Sequence, residues 1–131
     1  MPDKIPPVRV DTTIQYQKEI KQLRKKYRSI ERDLVSLIDR LQAGETPEDK
    51  ITDNKYLVYK VRVKNSNNNK GQSADYRVIY YSITSRSVLL TAIYSKSEQS
   101  NQSNAEIEAR IEQYDRQITP ELEIAPVDVE E

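Results

Sequence analysis

The chain has 131 residues with 36% hydrophobic side chains, enough for one modest core with polar ends rather than two domains. It has no Cys, no His and only two Gly. That excludes disulfides, thiolate and imidazole metal sites, Ser-His-Asp catalysis and glycine-rich phosphate loops.

The 21 basic and 21 acidic residues cancel, but they are segregated. Residues 1–57 carry 12 basic and 10 acidic side chains, residues 58–96 carry seven and one, and residues 97–131 carry two and ten. A basic middle suggests a local anionic target; by itself it is equally a solvated charged surface followed by an acidic tail. No apolar run approaches the ~18 residues of a bilayer span. The start, MPDKIPPVRV, lacks the apolar centre of a secretory signal. A cytoplasmic protein without membrane contact is therefore expected.

Pro2, Pro6 and Pro7 predict an extended or frayed start. Val8, Val10 and Thr12 alternate with Arg9 and Asp11, the pattern of a short strand. Tyr16, Ile20, Leu23, Tyr27, Ile30, Leu34, Leu37, Ile38 and Leu41 then recur at spacings of three and four, an amphipathic helical stripe. Arg28-Ser29 is a natural hinge, with Ser29 as the cap of a second helix, and Gly44 fits a left-handed C-terminal cap. Residues 45–56 read as a polar loop. From residue 57 the period becomes two. Tyr59, Val61 and Val63 share one strand face, and Lys60, Arg62 and Lys64 the other. After a polar connection over 65–73, residues 75–83 and 88–94 read as two strongly apolar strands separated by a turn. Ser103 or Asn104 can cap a helix over Ala105–Gln117 with Ile107, Ile111, Tyr114 and Ile118 inward, ended by Pro120.

The order β-α-α-β-β-β-α predicts an α+β fold. A helical pair packs on one face of a small, mostly antiparallel sheet, a C-terminal helix follows, and the other sheet face is partly polar. Residues 1–118 form the single domain, and 119–131 an acidic, weakly ordered tail that either stays mobile or rests on the basic sheet face.

The segments Tyr59–Ser66 (YKVRVKNS), Asp75–Tyr81 (DYRVIYY) and Leu89–Glu98 (LLTAIYSKSE), with the helical stretch Lys18–Gly44, resemble the RelE/ParE family of toxins from bacterial toxin–antitoxin modules. The resemblance spans residues 8–117. It implies a helical hairpin on a curved antiparallel sheet and, for RelE-like members, metal-independent cleavage of mRNA on the ribosome. It also implies restraint by a cognate antitoxin protein and no cofactor. Carried over position by position, the family's basic residues fall on Lys60, Arg62 and Arg77. The last one falls at Ser97, with Lys96 beside it. The family's Gly-Tyr-Arg reads Asp75-Tyr76-Arg77 here, and the tyrosine that many nucleases place just downstream has no counterpart in 98–104.

The chemistry of these residue types agrees with such a role. Cleavage by the RNA's own 2′-hydroxyl requires that the hydroxyl be activated, the charge growing on phosphorus be stabilised and the leaving oxygen be protonated. Arginine and lysine supply the second need directly, and a lysine crowded by cations moves toward a usable base. Lys60, Arg62, Arg77 and Lys96 are the candidate catalytic residues. Lys64, Tyr81, Tyr94, Ser97 and Glu98 are candidates for substrate binding, the tyrosines as stacking surfaces. The same tyrosines also suit core packing, and alternating Lys and Arg also suits a solvent face. A ParE-like inhibitor of a topoisomerase and a degenerate member that only binds antitoxin or RNA are the competing functions.

Overall fold

The computed structural model describes residues 8–67, 75–98 and 101–116. The elements in chain order are β1 (Arg9–Thr12), α1 (Ile14–Lys26), α2 (Ile30–Gln42), β2 (Asp49–Lys50), β3 (Val58–Val63), β4 (Tyr76–Thr84) and β5 (Ser87–Ser95), followed by α3 over residues 104–116. The five strands form one open sheet in the order β1-β5-β4-β3-β2. All neighbours are antiparallel except β1 and β5, which run parallel. The fold is α+β, as the change of hydrophobic period predicts. The expected tail 119–131, the helix end at Ile118 and Pro120, and most of the 65–73 connection lie outside the described residues.

The helical stripe breaks where the hinge was read. Thr13 caps α1, its Oγ1 accepting from the Tyr16 N–H at 3.0 Å. The first helix stops at Lys26, and Ser29 holds the N-cap position of the second. Ser29 does not cap through its side chain. Its hydroxyl instead meets Ser66 at 2.8 Å and Asn67, so it ties the hairpin turn to the end of β3. Gly44 takes φ +92° after α2, the left-handed cap that a Cβ would strain. The polar segment 45–56 contains one element not read from the sequence, the two-residue strand β2, which pairs with Tyr59 and Lys60.

The hairpin α1–α2 packs on one sheet face. Ile20, Leu23, Ile30, Leu34, Leu37 and Leu41 meet Val61, Val63, Val78, Tyr80, Leu90 and Ile93. The opposite face is covered over its apolar half by α3, where Ile107 and Ile111 bury Val58, Ile79, Leu89 and Ala92. Ser103 caps α3, its Oγ accepting from the Glu106 N–H at 3.1 Å.

Period two fails at one place in β5. Ile79 pairs with Ala92 but Tyr80 pairs with Leu90, so Thr91 is the extra residue of a β-bulge. The Thr91 carbonyl accepts from Thr13 Oγ1 and from Arg110 Nη1, both at 3.0 Å. Arg110 also forms a forked ion pair with Glu19 at 2.7 and 3.0 Å, only 15% and 27% exposed, and Glu19 accepts the Ile93 N–H. Strand β1 ends opposite Leu90. This cluster therefore closes the sheet edge that β1 leaves open and ties α3 to α1.

The chain has nine Tyr and neither Phe nor Trp, so every aromatic ring in the core carries a hydroxyl that needs a partner. Tyr80 donates to the Pro47 carbonyl at 2.9 Å, Tyr56 to Glu112 at 3.1 Å and Tyr114 to Asp11 at 3.2 Å. Burial pushes the Tyr16, Tyr76 and Tyr80 phenols well up. Burial, with the Glu112 carboxylate, raises Tyr56 to about 12.

Two outcomes follow from these contacts. Arg110→Ala leaves Glu19 without its cation at the bulge. It should cost about 2 kcal/mol in urea unfolding, below the full buried-pair penalty because both groups are partly solvated. The tyrosine shifts set an alkaline limit. Folded values above unfolded ones give stability that is whole below about pH 10 and is lost as pH rises through the folded values. The urea midpoint should therefore hold up to about pH 9 and fall above about pH 10, in step with tyrosinate absorbance.

Candidate anion-binding end of the sheet

Alternation in β3 sends Tyr59, Val61 and Val63 to the hairpin and leaves Val58, Lys60 and Arg62 on the other face. In β4 the same face carries Arg77, Ile79, Tyr81 and Ile83. Beyond the bulge, β5 adds Ala92 and Tyr94. The register places Arg62 directly opposite Arg77, and Arg77 opposite Tyr94. Lys60 lies one row inward, opposite Ile79 at the margin of the α3 contact. Lys64 follows the end of β3 and Lys96 the end of β5, both exposed. The Lys96 N–H donates to the Asp75 carbonyl at 3.0 Å. The second sheet face is thus divided into an apolar half beneath α3 and a basic end.

The Arg62–Arg77 pairing brings like charges together. The Val58 carbonyl is taken by Ile51 on the β2 side, so by alternation Arg62 directs its backbone groups away from β4. The pair is therefore of the non-hydrogen-bonded kind, whose side chains lie closest, and like charges there destabilise the sheet by roughly 0.2–1 kcal/mol. Among the described residues none of Lys60, Arg62, Lys64, Arg77 and Lys96 forms an ion pair. The Arg77 guanidinium has one long hydrogen bond, to the Tyr76 carbonyl at 3.4 Å. Asp75, the sole acid of residues 58–96, is buried and its carboxylate accepts the Asn65 N–H at 3.3 Å.

Tyr94 completes the row. It is 5% exposed, and among the described residues its buried hydroxyl, like that of Tyr76, has no hydrogen-bond partner. Burial raises its phenol, and the charge of Arg77 draws it back down. Nothing in the sequence pattern marks this residue as belonging beside Arg77. A strict two-residue alternation from Leu90 would send Tyr94 to the hairpin side, and the bulge at Thr91 reverses it.

Three expected substrate-binding residues stand apart from this row. Tyr81 shares the face but packs edge-on against Tyr56, with ring centroids 5.2 Å apart, inside the α3 cluster. Its ring is engaged in packing. The Ser97 hydroxyl meets Ser95 at 2.8 Å. Glu98 forms an ion pair with Lys26 at the end of α1, because the turn after β5 carries it to the hairpin side. The Glu98 carboxylate holds the Lys26 ammonium above its ordinary range. Among the described residues no group of three carboxylates is placed to hold a metal ion, and no helix is long and apolar enough to cross a membrane.

The basic end therefore offers two adjacent guanidinium groups, three flanking ammonium groups and a buried phenol. Guanidinium forks match phosphate or carboxylate oxygens. Both strained features are relieved by single substitutions. Tyr94→Phe removes a buried hydroxyl without a partner and should raise the stability of the free protein by about 1 kcal/mol. Arg62→Gln should raise it by about 0.5 kcal/mol at low salt and by less at high salt. Thermal unfolding of the two variants in low and high salt checks both signs.

Compared with protein-family models, with characterised proteins and with solved structures, the chain matches none.

Proposed function

We propose that this chain is the toxin of a toxin–antitoxin module, a cytoplasmic endoribonuclease that cuts mRNA on the ribosome and is silenced by a cognate antitoxin protein. The observation that carries this reading is the Arg62–Arg77 cross-strand pair, placed directly opposite each other with no ion pair to an acid among the described residues. A fold that keeps such a pair gains from an anion seated between the two. The resemblance of the β3, β4 and β5 segments to RelE-type toxins makes that anion the scissile phosphate of RNA.

In this reading the 2′-oxygen attacks phosphorus as its proton passes to a base, and the bond from phosphorus to the 5′-oxygen breaks. That oxygen leaves with a proton, so the products are a 2′,3′-cyclic phosphate and a 5′-hydroxyl. Arg77, half-buried and opposite both Arg62 and Tyr94, stabilises the charge that grows on the phosphoryl oxygens. Arg62 binds the same phosphate from the neighbouring strand. Lys60, on the same strand face as Arg62 and one row inward, is the candidate base, and Lys64 and Lys96 hold adjoining phosphates.

One observation favours the non-catalytic alternative. Glu98, two residues after Lys96, is committed to Lys26, Asp75 is buried and accepts the Asn65 N–H, and the chain has no imidazole. A ParE-like inhibitor needs the basic surface but no proton donor. Purified protein added to translating ribosomes, with mRNA 5′ ends mapped, separates the two readings. New ends within codons, lost about 100-fold in Arg77→Ala, are the expected result. Intact mRNA at full growth arrest, with Arg77→Ala still folded and still toxic, would give the topoisomerase reading instead.

A further inference from the structure

The basic end of the sheet is one of two cationic surfaces. The other lies across the sheet, on the outward side of α1. Tyr16, Ile20 and Leu23 bury the inner side of this helix. Lys18, Lys21, Arg24, Lys25 and Arg28 are all exposed; the spacing of 18, 21 and 25 keeps these three on one stripe of the helix, and Arg28 lies just beyond its end. Among the described residues, a surface hollow of about 490 Å³ is lined by Lys21, Arg24, Lys25 and Arg28 alone. Of the five, Arg24 alone has an ion pair among the described residues, with Glu31 at 2.8 Å.

The helix dipole accounts for part of this. Cations are favourable in the last turn, where Arg24, Lys25 and Lys26 stand. Lys18 lies in the first half and Lys21 just past the middle, and the first turn has no acid. Like charges three and four residues apart oppose helix formation. The stripe therefore runs against the local stability of α1.

We propose that the α1 stripe is a second nucleic-acid surface, which grips a double helix through its phosphates without reading sequence. The chemistry of the surface selects this partner. A membrane would need an exposed apolar side on the helix, and that side of α1 is buried in the core. A single strand would be held by stacking on aromatic rings, but Tyr16 and Tyr27 are buried. An acidic protein surface would need a large apolar anchor amid the charge; the hollow is lined by lysine and arginine side chains, and Ile14, the exposed apolar residue of α1, stands at the far end of the helix outside it. A row of cations spanning roughly 10 Å, at 1.5 Å rise per residue, suits successive backbone phosphates. This surface is independent of the proposed cleavage site, so it stands or falls apart from nuclease activity.

The test uses the full chain and fluorescence anisotropy. Labelled RNA and DNA duplexes of about 16 base pairs and a single strand of the same length are titrated at several salt concentrations. The variant Lys18→Gln/Lys21→Gln/Lys25→Gln keeps good helix formers at each position, and circular dichroism confirms its fold. The parent should bind a duplex. The variant should bind it ~10-fold more weakly at low salt and lose about two to three units from the log–log salt slope. Arg62→Gln/Arg77→Gln should weaken duplex binding less than the triple variant does. The ratio of RNA to DNA duplex affinity identifies which helix is the natural one. A parent that binds neither duplex, a triple variant that matches the parent, or loss of duplex binding in Arg62→Gln/Arg77→Gln alone would overturn the proposal.

Discussion

The carbonyl oxygen of Thr91 is the point on which the tertiary structure turns. It sits at a bulge in β5 where the parallel partner β1 has just ended. An edge carbonyl there would otherwise face solvent or another strand. Thr13 and Arg110 both donate to it, so the start of α1 and the middle of α3 are fixed to the same atom. Glu19 then pairs with Arg110 and accepts the Ile93 N–H two residues on. One cluster thereby sets the position of a helix on each sheet face and closes an edge. It also sets the phase of β5 beyond the bulge. Leu90 and Ile93 face the hairpin, and Leu89, Ala92 and Tyr94 face α3.

The division of the α3 face follows from that arrangement. A helix of about 13 residues is some 20 Å long, and α3 spends its apolar side on Ile107 and Ile111 above Val58, Ile79, Leu89 and Ala92. The row Arg62–Arg77–Tyr94 lies at the end of this cover. Extending the apolar cover over the row would bury two guanidinium groups without counter-ions, which is far more costly than leaving them at the rim. The position of α3 and the openness of the basic end are thus two expressions of one electrostatic constraint.

The two cationic surfaces sit on a chain whose formal charge is zero. The compensating acids are placed elsewhere. Glu108 and Glu112 of α3 are used to hold Lys55 and Tyr56, Asp33 accepts from Ser66, and Glu98 is tied to Lys26. Hydrogen bonds and ion pairs within the fold thus absorb acids, while among the described residues Arg62 and Arg77 of the sheet end and Lys18, Lys21 and Lys25 of α1 form no ion pair. An overall neutral composition conceals this, because net charge carries no information about where each sign is consumed.

Much of the architecture was legible in the residues themselves. The stripe from Tyr16 to Leu41 and the alternation from Tyr59 to Lys64 are periodic patterns with one physical meaning each, because a helix repeats every 3.6 residues and a strand every two. They specified the hairpin, its break at Arg28-Ser29, the three consecutive strands and the common face of Lys60 and Arg62. The bulge at Thr91, the direct opposition of Arg62 and Arg77, the diversion of Glu98 to Lys26 and the orphaned hydroxyl of Tyr94 had no such signal. Each depends on which residues of separate strands come to lie opposite one another. Pairing register is a property of two segments at once, chosen by the packing of both sheet faces together. The sequence alone determined which side chains share a strand face; only the tertiary structure decided which of them meet across strands, and that meeting is what makes the basic end a candidate site.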